Sequence, residues 1–564
     1  MLANQNKSPH NYISKIKIKK NQRKIIYAKR LRNTVFTLHQ KSERKYQTFP
    51  CLTIKTVTMK FNFLKKENKK VVLNYEGAKA YAMTPAEELY SAVVTTGLSD
   101  ANYEKGADRL ERIQSLIKKN DPEFVAKLAV YARKDMYLRS IPLVLTTELA
   151  KQTSGTDLIS KTVDGVVQRA DEITELLAYY QLANKRTDTK KLNKLSKQIQ
   201  KGLVKSFNKF DEYQFAKYNR KAEVTLKDAL FLVHPKAKDE NQQTVFNKIA
   251  NNTLETPYTW EVELSVLGQT KFADDAERKL AFKNKWEELI FSNRLGYMAT
   301  MRNLRNILEA KVSSDAMNKV CVYLSDERAV SNSKQLPFRF LAAYRELKNV
   351  DSPYLSSVLE ALENAVVVSA RNIKGFGFDT SVVIAADVSG SMQKAVSSKS
   401  KILLYDIGLL MSMILQSQCK NVVTGIFGDR WLRVPMPKNG ILRNVDAFYK
   451  REGEVGYSTN GYLVIEDLIK RREQVDKVML FTDTQLWDTR GNRNSFEETW
   501  KKYKAIAPHA KLYIFDLAGY GTQPLDIRKD DVHLIAGWSD KIFDVLNALE
   551  DKKSAVKMIQ KVVL

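Results

Sequence analysis

Residues 382–392, "VVIAADVSGSM", carry a run of buried-type side chains that stops at Asp387 and then sets hydroxyls at Ser389 and Ser391. One carboxylate and two hydroxyls at alternate positions, in a tight loop opened by Gly390, can all turn toward a single ion. Further along, "VMLFTDTQLW" ends a second β-rich run at Asp483, and "GYSTNGYLVIEDL" puts Thr459 in a loop just ahead of a helix. Carboxylate, hydroxyl and water oxygens are the donors of a hard divalent cation such as Mg²⁺ or Mn²⁺. Asp387 and Ser389 could instead only cap the following helix. The strand-end Asp483 and the intervening Thr459 favour the cation. No general base lies close in sequence to these five residues, so the pattern points to ligand binding and not to catalysis.

A second constellation is basic. In "FAKYNRKAEVTLKDALFLVHPKAK", residues 215–238, Lys217, Arg220 and Lys221 precede a helix whose start is marked by Thr225 and Asp228, and His234 stands at its end. Cations near a helix C-terminus are favourable in themselves, so capping and a solvated face are the plain alternative. Upstream, residues 184–210 are rich in lysine against one acid, Asp188, with Phe207, Phe210, Tyr213 and Tyr218 close by. Aromatic rings among phosphate-binding cations suit stacking on unpaired bases. The apolar face is too modest to favour a membrane surface. RNA is the preferred partner.

Both constellations need a folded frame. At 564 residues the chain is too long for one core. Its three cysteines and five histidines form no metal-ligand, disulfide or catalytic-triad spacing. No apolar run approaches the ~20 residues of a membrane helix. The net charge is +28, of which residues 1–58 carry +13 and the remainder +15, still enough to favour a polyanionic partner. Residues 1–58 read as a basic N-terminal extension, disordered or mis-annotated, with Met59 as an alternative start. From about residue 75 to 370 the pattern is helical, with Thr84–Pro85 and Asp121–Pro122 as helix starts and single helices expected over 160–182 and 298–310. Many short helices suggest a HEAT-type solenoid. After "IKGFGFD", β-rich runs such as "NVVTGIFGD", "AKLYIFDLAG" and "VHLIAGW" alternate with helices, which indicates a parallel α/β sheet.

The D-x-S-x-S element with Thr459 and Asp483 resembles the metal-ion-dependent adhesion site of von Willebrand factor A domains. With "KDALFLVHPKA", "MRNLRN" and "LPFRFLAAYREL" ahead of it, the chain resembles the TROVE-domain Ro ribonucleoproteins. That resemblance implies a multidomain fold: an all-α HEAT-like ring over 59–373, then a Rossmann-like α/β A domain over 374–564. It implies a monomeric, cytoplasmic, non-enzymatic protein that binds small noncoding (Y-type) RNAs and the single-stranded 3′ ends of structured or misfolded RNAs. An exoribonuclease is a candidate partner, and a membrane is not expected. Carried over by position, Lys217, Arg220, Lys221 and His234 would touch RNA, with Arg302 and Arg305 as further candidates. An adhesion-type scaffold without specific RNA binding is the alternative. A metal-chelatase-like machine is disfavoured, since the chain has no G-x-x-x-x-G-K-[ST] loop.

Overall fold

The computed structural model describes residues 71–185, 195–370, 376–397, 400–487, 496–527, 531–550 and 553–564. The basic extension 1–58 lies outside them, as do residues 186–194 of the lysine-rich stretch 184–210.

The described chain starts with a hairpin, β1 (Val71–Leu73) and β2 (Lys79–Ala82), where a helical pattern is expected. Its pattern is set by a distant partner, so local periodicity does not reveal it. Helices follow. Thr84 caps Pro85–Val94 in a reciprocal capping box with Glu87, and Asp121 caps Pro122–Lys134 by accepting from Glu123 N and Phe124 N. The single helix expected over 160–182 is two, Leu158–Val166 and Asp171–Ala183. They part where Glu172 Oε2 accepts from Gln168 N and Arg169 N at 2.8 and 3.1 Å. The helix expected over 298–310 likewise divides at Asn303 into Tyr297–Arg302 and Leu304–Glu309.

Neighbouring helices stack along the series. Leu158–Val166 packs on Lys197–Phe207, Leu226–Val233 on Glu240–Asn251, Trp260–Gln269 on Asp275–Phe291, and Ser314–Ser325 on Leu355–Ala370. At the first of these a Cβ on Gly202 would lie 2.5 Å from Val163 Cβ, so only glycine permits the approach.

The C-terminal part is a six-stranded sheet ordered β5-β4-β3-β6-β7-β9: Trp431–Arg433, Asn421–Phe427, Ser381–Asp387, Lys477–Thr482, Lys511–Asp516 and Val532–Ala536. All neighbours are parallel except the edge strand β5. Burial alternates with the pleat. Val383, Ala385, Val478 and Leu480 face the helices Tyr462–Arg471 and Phe496–Ile506, while Ile384, Ala386, Met479 and Phe481 join the core that runs on into the helical region.

This α/β layer meets both ends of the helical series. At the first end, β2 pairs with the two-residue strand β8 (Thr522–Gln523), and Pro85–Val94 packs on β9 and on the terminal helix Ala555–Ile559. At the last end, Phe338–Leu347 and Leu355–Ala370 pack on Leu404–Gln418 and Ile441–Tyr449. The helices therefore form a circuit closed by the α/β layer, and Lys70–Leu564 hold together as one unit. Among the described residues no helix is long and apolar enough to cross a membrane.

Candidate metal centre and nucleic-acid surface

The strand order reverses between β3 and β6, and ligands of such sheets bind at the carboxyl ends of the strands on either side of that reversal. Asp387 ends β3 and Asp483 follows β6, so the topology brings two carboxylates from residues far apart in sequence to one crevice. The loop after β3 adds Ser389 and Ser391, whose hydroxyls lie 3.2 Å apart. Thr459 reaches the crevice from the loop before Tyr462–Arg471. All five side chains are buried.

Each carboxylate is oriented by its surroundings. Asp387 Oδ1 accepts from Ser389 N at 2.9 Å and Oδ2 from Thr482 Oγ1 at 2.6 Å. Asp483 Oδ1 accepts from Gln485 N at 3.0 Å, and Thr459 Oγ1 donates to Gln485 O at 3.0 Å. Asp483 Oδ2 is buried with no hydrogen-bond partner. Burial pushes both carboxyls above the usual carboxylate range, and the Asp387 charge raises Asp483 further. Two buried, mutually repelling carboxylates with one orphaned oxygen are a deficit that a cation would fill. Two carboxylates and three hydroxyls are hard oxygen donors, so the residues fit Mg²⁺ or Mn²⁺. Among the described residues no group of three or more His, Cys, Asp or Glu is placed to hold a metal, so the softer sites of zinc or iron have no counterpart here.

The basic residues fall into two separate places. Lys217 lies in the last turn of Glu212–Tyr218, exposed, with Nζ 5.6 Å from the Tyr213 ring and 5.9 Å from that of Tyr218. The Arg169 guanidinium stands 4.3 Å from the centre of the Tyr218 ring, held by Asp171 at 3.1 and 3.0 Å. Arg220 and Lys221 are exposed in the following loop. The helix they precede, Leu226–Val233, starts with the capping box between Thr225 and Asp228. His234 ends it, exposed, in the left-handed region at φ 50°, its N–H donating to Leu230 O at 2.9 Å. Of the rings suggested for base stacking, Tyr213 is 43 % exposed, whereas Phe207 and Phe210 are core residues packed with Phe215 and Phe246. Their helical register turns them inward.

Phe231, 54 % exposed, is an aromatic face that sequence reasoning passed over. Its signal is the register of "LKDALFLV": Leu226, Ala229, Leu230 and Val233 are buried, which turns Phe231 outward.

Arg302 and Arg305 sit elsewhere, both exposed, lining a cavity of about 480 Å³ with Arg339. Arg305 is also held by Glu309 at 2.8 Å. Burial, and then the Arg302 charge, lower the basicity of Arg339. An adjoining cavity of about 640 Å³ shares Arg339 and adds Arg139, Arg345, Lys401 and Trp538. It lies where both ends of the helical series meet the α/β layer. No local pattern could mark Arg139 or Arg339, because the closure of the circuit is what assembles this wall.

The TROVE domain family matches residues 57–285 and 253–375. Telomerase protein component 1 of Rattus norvegicus is 23% identical over 332 residues, and that of Mus musculus 25% over 320. Each alignment covers 45% of this chain and 12% of the relative, so the chain spans about an eighth of those proteins. The crystal structure of the Ro (RSR) protein of Deinococcus radiodurans matches with a TM-score of 0.52 at 16% identity, covering 85% of this chain and 100% of that one. At that identity the likeness is one of fold.

Proposed function

The chain belongs to the TROVE-domain family, a family of RNA-binding proteins, and from that premise we propose that it is a cytoplasmic RNA-binding scaffold without catalytic activity of its own. Its ligands are small noncoding RNAs of the Y type and the single-stranded 3′ ends of structured or misfolded RNAs. It acts in RNA quality control, with an exoribonuclease as a candidate partner. The observation that carries this reading is the exposed group of Lys217, Arg220 and Lys221 beside the open Tyr213 ring. None of the three cations has an acidic partner among the described residues. Cations left unpaired beside an aromatic face neutralise phosphates and stack bases without reading base edges.

Outer-surface binding through Lys217, Arg220, Lys221 and His234 is one half of the proposal. The arginine-lined cavities at Arg302, Arg305 and Arg339 receive the 3′ end in the other half. Asp387, Ser389, Ser391, Thr459 and Asp483 would hold Mg²⁺ or Mn²⁺. When bound, that ion supplies a positive centre with room for an acidic ligand, and the residues around it only position it.

The test is a salt series of binding to a blunt RNA duplex, the same duplex with a 3′ single-stranded tail, and one with a 5′ tail. The 3′ tail is expected to bind tightest. Changing Lys217, Arg220 and Lys221 to Ala should reduce the log–log salt slope by about 2, at ~0.7 per phosphate contact. Equal binding of all three RNAs, with an unchanged slope in the variant, would sink the proposal.

A further inference from the structure

Strand β9 ends the sheet and pairs on one side, with β7. In a parallel ladder alternate residues direct both backbone groups at the same neighbour, and the residues between them direct both the other way. The bonds that bracket this pairing fix which are which. Leu512 N donates to Asp531 O at 2.8 Å and Gly537 N donates to Asp516 O at 3.4 Å, so the odd-numbered residues of β9 face β7. The N–H and C=O groups of Val532, Leu534 and Ala536 therefore face away from the sheet.

Ala536 is satisfied by Tyr90: its C=O accepts from the phenol hydroxyl at 3.0 Å, and its N–H donates to the same oxygen at 3.3 Å. One side-chain oxygen thus stands where an adjoining strand would put a peptide group. Among the described residues, the outward groups of Val532 and Leu534 have no such partner. Both residues are buried, and with Tyr90 they line a cavity of about 710 Å³ that also meets the terminal helix Ala555–Ile559. Buried backbone polar groups are nearly always paired, and here the space for a partner is present.

The rim sets the chemistry of that partner. Lys511, Lys553 and Lys557 line the cavity against one acid, Glu87. Glu87 is engaged in its own capping box, accepting from Thr84 N at 3.0 Å and Thr84 Oγ1 at 2.8 Å. Lys511 lies 3.6 Å from Glu550, whereas Lys557 is exposed with no acidic partner among the described residues. A strand edge offers carbonyl acceptors as often as N–H donors. Phosphates only accept and would leave those carbonyls unmet, whereas a peptide backbone supplies both.

We propose that the β9 edge is a docking site for an extended, acidic peptide of a partner protein. The peptide adds as a further strand beside Val532 and Leu534 and sets its carboxylates against Lys553 and Lys557. Main-chain bonds of this kind supply affinity, and alternate side chains supply selectivity. The site shares no residue with the RNA surface or the metal crevice.

The experiment screens the full chain, by fluorescence polarisation, against a set of short capped peptides that alternate Val with Glu. Matched sets carry Lys in place of Glu, or N-methyl groups on alternate residues. The acidic peptides are expected to bind and to slow hydrogen exchange over residues 531–537. The Lys and N-methyl sets should bind about 10-fold more weakly, as the loss of one or two hydrogen bonds or charge contacts implies. Leu534→Pro deletes only an outward N–H, which an edge strand tolerates, and should weaken the acidic peptides to the same extent. Lys557→Glu leaves the strand untouched and should weaken them several-fold with RNA binding unchanged. Failure of every acidic peptide to bind, or equal binding of the N-methyl set, overturns the inference. Slowing of exchange over 531–537 by RNA and not by peptide overturns it as well.

Discussion

The two ends of the helical series are fastened to the same α/β layer by different chemistry. The first end relies on strand pairing and hydrogen bonds, Tyr90 Oη to Ala536 O at 3.0 Å and Ser91 Oγ to Asp516 Oδ2 at 2.6 Å, with a single partly exposed charge cluster, Glu497 with Lys79 and Tyr81, at its margin. Gly519, at φ 65°, leaves room for this contact, since a Cβ there would lie 2.2 Å from Thr95 Oγ1. The last end relies on charge. Arg345 bonds Asp406 at 2.7 Å and Asp446 at 3.2 Å, and Lys348 joins it on Asp446. Glu363 accepts from Leu442 N and Arg443 N at 3.0 and 2.9 Å, satisfying the start of Ile441–Tyr449, whose own N-cap is Gly440. Buried charge pairs are brittle, because losing one partner strands the other. Strand pairing spreads its stabilisation over many small contacts. The last end is therefore the more rigid joint, and the first is the one that a proton loosens, through Glu497.

That contrast can be broken most severely at Arg345. Arg345→Ala leaves the fully buried Asp406 side chain short of its cationic partner and should cost about 3 kcal/mol, read as a lower midpoint in chemical denaturation. Tyr81→Phe, which removes the hydroxyl bond to Glu497 at the first end, should cost only about 1 kcal/mol. Its readout is faster hydrogen exchange over residues 71–82, with the last end unchanged. Equal losses from the two variants would erase the distinction.

Acid should sharpen it. Burial alone would raise the Glu497 carboxyl, but hydrogen bonds from Tyr81, Lys501 and Lys79 more than offset this and hold it at about 2. A folded-state value below the unfolded one contributes stability above pH ~4.5, and that contribution is lost as pH falls toward 2. Glu363 moves the other way: burial raises it, so its protonation in the same range does not weaken the folded state. Hairpin exchange should therefore accelerate on acidification before the contacts of Leu355–Ala370 do.

How much of this was legible in the sequence follows from the range of each signal. The five oxygen donors were readable because each lies at the end of a β-rich run or just before a helix, and an α/β sheet gathers such positions at one edge. Asp121 and Thr225 were readable because caps are local. The hairpin was not, since its partner Gln523 lies more than 400 residues away and short "KAYA" has no pattern of its own. Phe207 and Phe210 misled for a related reason. Their basic neighbours are visible in sequence, whereas the Phe215 and Phe246 rings that enclose them are fixed only by helix packing. Arg139 and Arg339 gain meaning only once the circuit closes.

His234 carries one more consequence. A side chain at φ 50° is in a conformation that glycine adopts freely and a histidine pays for, at roughly 1 kcal/mol. Helix ending alone would be served better by glycine, and Pro235 already prevents the helix from continuing. Given the proposed RNA contact, the residue is a place where stability and ligand binding would pull in opposite directions. His234→Gly should fold at least as stably as wild type while binding RNA several-fold more weakly. A variant improved by both measures would show that no such conflict exists.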